Sequence, residues 1–212
     1  MQLFPSLYAI LDPALTRVSV ASLADALANA GVQLIQLRDK RSSSVRFQSE
    51  ARELARLLSD RGARLIVNDR PDIAAIASAA GVHVGQDDLP VEVARRICPA
   101  PLWVGVSTHN LQQLSEADLT SADYIAVGPI FPTATKQNPD PVVGPEFLRA
   151  ARQLTRKPLV AIGGITVGTA AEVFEAGANS VAIIGDLLTA PDPGERAREY
   201  LAIAERFRTS LR

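Results

Sequence analysis

Two hydroxyl groups and one ammonium group lie close together in the sequence, at Thr133, Thr135 and Lys136. An apolar segment, residues 124–127, precedes them, and a Gly-Pro dipeptide separates the two parts. Hydroxyl and ammonium groups donate hydrogen bonds to phosphate oxygens, and charged donors form the stronger bonds. The pattern is typical of a buried strand that delivers polar groups to a phosphate at its C-terminal end.

Other apolar segments also end in residues that suit an anionic ligand. Arg38 and Lys40 are cations, and Gln36, Asn68 and Ser107 are neutral hydrogen-bond donors. Together with the groups described above, they provide the charge and the donors that a diphosphate requires. We therefore expect these side chains to meet around one highly charged phosphate ligand.

Two carboxylates accompany the cations, Asp69 and Asp88. A carboxylate beside a phosphate repels it unless a divalent cation lies between them. Mg²⁺ is commonly held by one or two carboxylates together with substrate phosphates, so this pair predicts a site for one Mg²⁺ ion. Each aspartate could instead cap a following helix, because Pro71 and Pro90 stand close behind them.

Glycines predict a second anion site. Gly163 and Gly164 end one apolar segment, and Gly185 ends the next. Bare backbone N–H groups at such positions often bind phosphate in parallel barrels. The glycine pair could also serve only to relieve crowding at a tight turn. Asp186, which follows Gly185, should weaken phosphate binding unless its side chain points away.

Short apolar segments rich in β-branched residues must position these groups, and amphipathic segments alternate with them. Near-continuous apolar character indicates parallel strands that are buried on both faces. The predicted strands cover residues 7–11, 34–37, 64–67, 82–85, 103–106, 124–127, 159–162 and 181–184. The predicted helices cover residues 22–30, 44–60, 72–80, 91–97, 111–118, 145–154, 167–176 and 193–207.

Eight strand–helix units without a Gly-x-Gly-x-x-Gly motif after the first strand favour an α/β fold, a single-domain (β/α)8 TIM barrel over residues 1–212. The C-terminal strand ends of such a barrel face the active site. The polar residues follow the strands, whereas the loops before the strands show no such bias. We therefore expect the site at the C-terminal mouth.

The composition excludes several other classes. The chain of 212 residues is 47% hydrophobic and 21% charged, with a net charge of -1, which does not indicate a nucleic-acid or membrane partner. The single cysteine, Cys98, excludes an internal disulfide and is expected to be a buried, inert thiol. Neither a leader sequence nor an apolar run of about 20 residues is found, so we expect a cytoplasmic protein.

The chain resembles the thiamine-phosphate synthase (thiamine-phosphate pyrophosphorylase) family over essentially its whole length. Six motifs in the same order carry the resemblance, and their order is more specific than any single motif. They are Gln36-Leu37-Arg38-Asp39-Lys40, Asn68-Asp69-Arg70, His83-Val84-Gly85-Gln86-Asp87-Asp88, Gly105-Val106-Ser107-Thr108-His109, residues 127–136, and Ala161-Ile162-Gly163-Gly164-Ile165.

The resemblance implies a Mg²⁺-dependent transferase of thiamine biosynthesis, which joins a pyrimidine diphosphate to a thiazole phosphate and releases pyrophosphate. It implies catalytic roles for Arg38, Ser107 and Lys136, and Mg²⁺ ligation by Asp69 and Asp88. The substrate contacts that it implies are Gln36, Leu37, Arg38, Asp39, Lys40, Asn68, Ser107, Thr133, Ala134, Thr135, Lys136, Gly163, Gly164, Ile184 and Gly185. The family usually has a small hydroxyl residue followed by alanine where this chain has Gly185-Asp186.

Two other functions remain open at this point. A thiazole tautomerase on the same scaffold would need an acid–base residue such as His109 and would not need the diphosphate-binding groups. A non-catalytic sensor or carrier would bind phosphate ligands without turnover. A homo-oligomer is also possible.

Overall fold

The strands pair in parallel and in sequence order, and the last strand pairs with the first. The computed structural model describes residues 4–16, 18–133 and 140–208. The strands are β1 (Leu7–Leu11), β2 (Leu34–Leu37), β3 (Arg64–Asn68), β4 (Gly81–Val84), β5 (Trp103–Thr108), β6 (Tyr124–Val127), β7 (Leu159–Ile162) and β8 (Ser180–Ile183). This closed order of eight parallel strands confirms the predicted (β/α)8 barrel.

Helices follow the strands along the chain. They are α1 (Val20–Asn29), α2 (Ser44–Asp60), α3 (Pro71–Ile76), α4 (Val91–Ile97), α5 (Leu111–Asp118), α6 (Gly144–Leu154), α7 (Val167–Glu175), α8 (Gly185–Leu188) and α9 (Pro193–Arg208). None of the helices in the described ranges combines the length and the apolar character that crossing a bilayer requires.

Two predicted helix features differ from the structure. Helix α3 ends at Ile76 instead of continuing to residue 80, because the chain turns at Ser78, where φ is 57°, and Ala80 then donates a backbone hydrogen bond of 2.8 Å to Leu65. The short helix α8 was not predicted, because four residues are too few to show a helical period.

The core has two layers, because successive side chains of a strand point to opposite faces. Outward-facing residues pack against the helices, and Cys98 is buried there as predicted. Inward-facing residues fill the barrel and include Tyr8, Ile10, Leu34, Ile66, Tyr124, Ala126, Val160 and Ala182. The two tyrosines place hydroxyl groups inside an otherwise apolar layer.

Gly105 allows one of these tyrosines to cross the barrel. In the strand register Gly105 lies between His83 of β4 and Tyr124 of β6. A Cβ atom at position 105 would lie 2.0 Å from Cζ of Tyr124, so only glycine leaves room for the ring. The Tyr124 ring can therefore pass over β5 and bring its hydroxyl to His83.

The N-terminal end of the barrel also carries charged side chains, and these bond to its loops. Arg95 donates hydrogen bonds to the carbonyls of Leu102, at 2.6 Å, and Ser121, at 2.9 Å. Asp123 pairs with Arg95 and accepts from the backbone N–H of Val104 at 2.7 Å. These groups connect the loops at the N-terminal end of the barrel, the closed end.

Candidate active site

A cavity of about 800 Å³ opens at the C-terminal ends of the strands. The predicted site residues in its wall are Gln36, Arg38, Lys40, Asn68, Asp69, Asp88, Ser107, Thr133, Gly163, Gly164, Ile184 and Gly185. The strands β2 to β8 or the loops behind them contribute these residues. The structure therefore brings together groups that are far apart in sequence, while their ligand contacts stay predictions.

Other predicted residues have different positions. Leu37 is fully buried in the layer between strands and helices, because it is the sequence neighbour of the inward-facing Gln36. Asp39 accepts backbone hydrogen bonds from Arg41 at 2.8 Å and Ser42 at 3.0 Å, so its carboxylate shapes the β2–α2 loop. Neither side chain is part of the cavity wall. The predicted contacts of Ala134, Thr135 and Lys136 lie outside the described residues.

The two predicted metal ligands lie next to each other. Asp69 forms an ion pair with Lys40, and Asp88 accepts a hydrogen bond of 2.7 Å from the backbone N–H of Gly85. Partial burial raises the pKa of Asp88, and the neighbouring Asp69 carboxylate raises it further. Two carboxylates this close together are a suitable place for a cation.

Neither aspartate caps a helix, which was the alternative interpretation. The residue at the N-cap of α3 is Arg70 and that of α4 is Pro90, and neither helix has a side-chain cap hydrogen bond. Asp69 instead adopts a φ of 63°, a left-handed conformation that aspartate tolerates better than most residues. The chain therefore turns sharply at Asp69 as it leaves β3.

A second ion pair in the mouth joins Arg38 to Asp12, which follows β1. The guanidinium Nη1 of Arg38 bonds to Oδ2 of Asp12, and Oδ1 of Asp12 accepts from the backbone N–H of Ala14 at 2.9 Å. A guanidinium has five N–H groups, so the bond to Asp12 orients Arg38 without using all its donors. Asp12 thus acts through Arg38.

A hydrogen-bonded chain crosses the barrel interior beneath the cavity. Gln36 Nε2 lies 2.7 Å from the Tyr8 hydroxyl, which lies 3.0 Å from the Tyr124 hydroxyl. His83 Nδ1 lies 3.1 Å from the same Tyr124 hydroxyl, and His83 Nε2 lies 2.8 Å from Ser107 Oγ. Because neighbouring members come from different strands, this chain links β2 and β5 through the barrel.

Burial determines the charge of His83. It lowers the pKa of His83 from 6.5 to about 4, although the Asp88 carboxylate acts in the opposite direction. The imidazole is therefore neutral at physiological pH and carries one proton. Both ring nitrogens have hydrogen-bond partners, and the ring also reaches the cavity wall.

The glycine pair after β7 meets the loop after β6. Gly164 has a φ of 62°, and a Cβ atom there would lie 2.4 Å from the carbonyl oxygen of Pro132. Relief of crowding, the simpler interpretation, therefore applies to Gly164. The pair also lines the cavity, so phosphate binding by its backbone stays a prediction.

Asp186 points its carboxylate towards helix α9. Both carboxylate oxygens accept from Arg196 Nη1 at 2.8 Å, and Oδ2 also accepts from the Tyr200 hydroxyl at 2.7 Å. The negative charge is thus paired with a cation outside the barrel. Because Arg196 compensates its charge, Asp186 should weaken phosphate binding near Gly185 less than the sequence alone suggested.

His109 connects two loops at the mouth. Its Nδ1 donates a hydrogen bond of 2.6 Å to the Gly128 carbonyl, and its Nε2 lies 3.6 Å from a carboxylate oxygen of Asp140. A carbonyl can only accept, so the Nδ1 atom carries a proton. These contacts hold the start and the end of the β6–α6 connection near β5.

The sequence analysis did not identify Tyr8, Tyr124 or Asp12 as site residues. For Tyr8 the signal is the period of two along the strand, because Tyr8 and Ile10 share the inward-facing side of β1. Reading the strands as continuous apolar runs hides this alternation.

Comparisons with known proteins identify the family of this chain. The family model described as thiamine monophosphate synthase matches residues 7–187. A thiamine-phosphate synthase from Koribacter versatilis is 50% identical over 204 residues, which cover 94% of this chain and 95% of that protein. One from Archaeoglobus fulgidus is 39% identical over 206 residues, covering 97% and 96% respectively.

A solved structure is similar along almost the whole chain. The thiamine phosphate pyrophosphorylase from Pyrococcus furiosus superimposes with a TM-score of 0.86 at 33% sequence identity. The match covers 95% of this chain and 96% of that one.

Proposed function

The chain belongs to the thiamine monophosphate synthase family and is a transferase, and we propose that it uses Mg²⁺ to join a pyrimidine diphosphate to a thiazole phosphate. The products are thiamine phosphate and pyrophosphate. The observation that carries the proposal is the cluster of Lys40, Asp69 and Asp88 in the wall of the barrel cavity.

The charge balance of the mouth supports a role for Mg²⁺. Arg38 and Lys40 are already paired with Asp12 and Asp69, and Asp88 adds a further carboxylate. A diphosphate would meet no net positive charge from these five residues, and a divalent cation reverses that balance. Among the described residues no group of three or more His, Cys, Asp or Glu side chains could hold a metal ion. Two carboxylates therefore suit an ion that phosphate oxygens help to hold.

The reaction explains why charged donors dominate the site. The bond between the pyrimidine methylene carbon and oxygen breaks, and its electrons leave with pyrophosphate. The lone pair of the thiazole nitrogen forms the new carbon–nitrogen bond, and no proton has to leave that nitrogen. Residues that neutralise the departing charge, Arg38, Lys40 and Lys136, then matter more than a general base. Mg²⁺ supplies further charge stabilisation when it is bound.

The second substrate needs a separate position. Gly163, Gly164 and Gly185 line the cavity at the ends of β7 and β8 and would receive the thiazole phosphate. Ser107 and Gln36 line the wall formed by other strands and would face the pyrimidine. Holding the two reacting atoms about 3–3.5 Å apart is the main geometric task of such a site.

The proposal is tested by mixing the purified protein with both substrates and following pyrophosphate and thiamine phosphate. We expect stoichiometric formation of both with Mg²⁺, and loss of both with EDTA and their recovery after Mg²⁺ is added back. Omission of the thiazole phosphate should abolish thiamine phosphate. Binding of thiamine phosphate without turnover would support a sensor instead, and isomerisation of the thiazole without pyrophosphate release would support a tautomerase.

A further inference from the structure

We propose that the hydrogen-bonded chain inside the barrel fixes the direction of the Ser107 hydroxyl, so that Ser107 donates its proton to an acceptor atom of the ligand. The chain consists of Gln36, Tyr8, Tyr124, His83 and Ser107. Only the identity of the ligand rests on the proposed function. The direction itself is a property of the protein alone.

The direction starts at Gln36. Its Nε2 group is a donor only, so the Tyr8 oxygen, 2.7 Å away, accepts this hydrogen bond. The proton of Tyr8 then remains for its second described partner, the Tyr124 hydroxyl at 3.0 Å. Each phenol has a single proton, so Tyr124 accepts from Tyr8 and donates elsewhere.

The same reasoning continues through His83. The Tyr124 proton is directed to His83 Nδ1 at 3.1 Å, which must therefore be the unprotonated nitrogen. A neutral imidazole then carries its proton on Nε2, which donates to Ser107 Oγ at 2.8 Å. The ring is neutral in this arrangement, because Nδ1 accepts the Tyr124 proton and cannot carry one of its own.

Ser107 is the last member and faces the cavity. Since its oxygen accepts from His83, its own proton is available to a ligand. The opposing ligand atom must then be an acceptor, such as a ring nitrogen of the pyrimidine or a diphosphate oxygen, and not an amino group. The chain thus contributes to recognition of the pyrimidine substrate.

Tyr124 is a positioning residue in this arrangement. It is fully buried and is not part of the cavity wall, so it acts on the ligand only through His83 and Ser107. Gly105 leaves the space that lets its ring reach His83. The hydrogen-bonded chain therefore depends on the absence of a side chain at Gly105 as well as on its polar groups.

Imidazole nitrogen NMR of the ligand-free protein tests the direction. The sequence contains 2 histidines, so isotope-labelled histidine gives signals that a His109→Gln variant assigns. We expect neutral His83 at pH 7 with its proton on Nε2. A proton on Nδ1, or a doubly protonated ring, would overturn the proposal, because Ser107 would then donate to His83 or lose its neutral partner.

Tyr124→Phe tests the consequence for the ligand. The variant removes one hydroxyl, so both His83 tautomers should become populated and kcat/KM for the pyrimidine diphosphate should fall roughly threefold to tenfold. An unchanged tautomer or an unchanged kcat/KM contradicts the proposal. Tyr200→Phe removes a buried hydroxyl outside the chain and should leave the His83 signals unchanged.

The two proposals fail separately. If the protein makes no thiamine phosphate but His83 carries its proton on Nε2, the proposed function fails and the hydroxyl direction stands. If the protein is an active synthase with the opposite His83 tautomer, only the hydroxyl direction fails. The wild-type spectrum gives this answer even if Tyr124→Phe does not fold.

Discussion

The two ends of the barrel use charged side chains in different ways. At the N-terminal end Arg95 and Arg152 bond to backbone carbonyls and to polar side chains of the adjoining loops. At the C-terminal mouth Lys40 and Asp69 pair with each other beside a large cavity. The arginines at the closed end bond to the loops of the barrel itself. The charged groups at the mouth keep donors and acceptors that a ligand can use.

The comparison shows that charge alone does not mark a functional site. Both ends contain an ion pair between aspartate and a basic residue, Arg95–Asp123 and Lys40–Asp69. The difference is a second carboxylate at the mouth, Asp88, whose pKa is raised by burial and by the neighbouring Asp69 carboxylate. A bound cation would lower the cost of ionising Asp88, which is consistent with the proposed Mg²⁺ site.

The largest effect that separates the two ends should come from Asp69→Asn. Asparagine tolerates the left-handed backbone at position 69, so folding should be preserved. Loss of the charge should reduce turnover by about 10²–10³ and raise the Mg²⁺ concentration required. Pyrophosphate release measured across a Mg²⁺ titration checks this.

Asp123→Asn is the matched change at the closed end. It weakens the bonds to Arg95 and Val104, so the unfolding midpoint should fall by about 2–4 °C while turnover per folded molecule is kept. Equal losses of activity and stability in both variants would contradict the contrast between the ends.

The next largest effect concerns His83, which is buried and also lines the cavity. Its pKa is about 4 in the folded protein and 6.5 without burial, so only the unfolded chain takes up a proton between these values. The free energy of unfolding is thus unaffected by this group above pH 6.5 and should fall by about 3 kcal/mol as the pH decreases to 4.

Denaturant unfolding at several pH values measures this loss. Other groups titrate in the same range, so the comparison is with His83→Gln, which lacks the imidazole. The variant should lose less stability than the wild type between pH 7 and pH 4. Parallel curves for the two proteins would mean that His83 takes up its proton equally readily in the folded and unfolded states.

A smaller effect is expected from Arg152→Ala at the closed end. Arg152 donates to Asn179 Oδ1 at 3.0 Å and to the Lys157 carbonyl at 3.1 Å, and both acceptors would lose a charged donor. The free energy of unfolding should fall by about 2 kcal/mol, with kcat and KM unchanged. Arg149→Ala, on the exposed side of α6, should change it by less than about 0.5 kcal/mol.

A smaller effect than that of Arg152→Ala should come from Asp186→Asn, because Asp186 joins the mouth to the outer helix α9. Weaker bonds to Arg196 and Tyr200 should lower stability by about 1 kcal/mol and raise KM for the thiazole phosphate about twofold. Steady-state kinetics with each substrate varied checks this. A lower KM would show that the carboxylate repels the phosphate, as the sequence first suggested.

The barrel could be predicted from the sequence because parallel strands buried on both faces leave apolar runs such as residues 34–37 and 159–162. The polar residues of the mouth could be predicted because they follow those runs directly. Helix α8 could not, because a single turn has no periodicity. The closed-end arginines were overlooked because they bond mainly to carbonyls, which every residue has.

The pairing of groups was also beyond the sequence. Arg38 and Lys40 were both predicted as phosphate-binding cations, but their ion pairs with Asp12 and Asp69 depend on distances between strands. The chain through Tyr8 and Tyr124 depends on the strand register and on which face each residue occupies. Such information requires coordinates.

The close contact between Gly105 and the Tyr124 ring makes these two positions mutually dependent. Since the Tyr124 ring occupies the volume that a side chain at 105 would need, the effect of a substitution at either position depends on the residue at the other. Gly105→Ala alone should be harmful, and a smaller residue at 124 should make it tolerable at the expense of the bond to His83. Relatives or laboratory variants that change one of these positions should therefore be expected to change both.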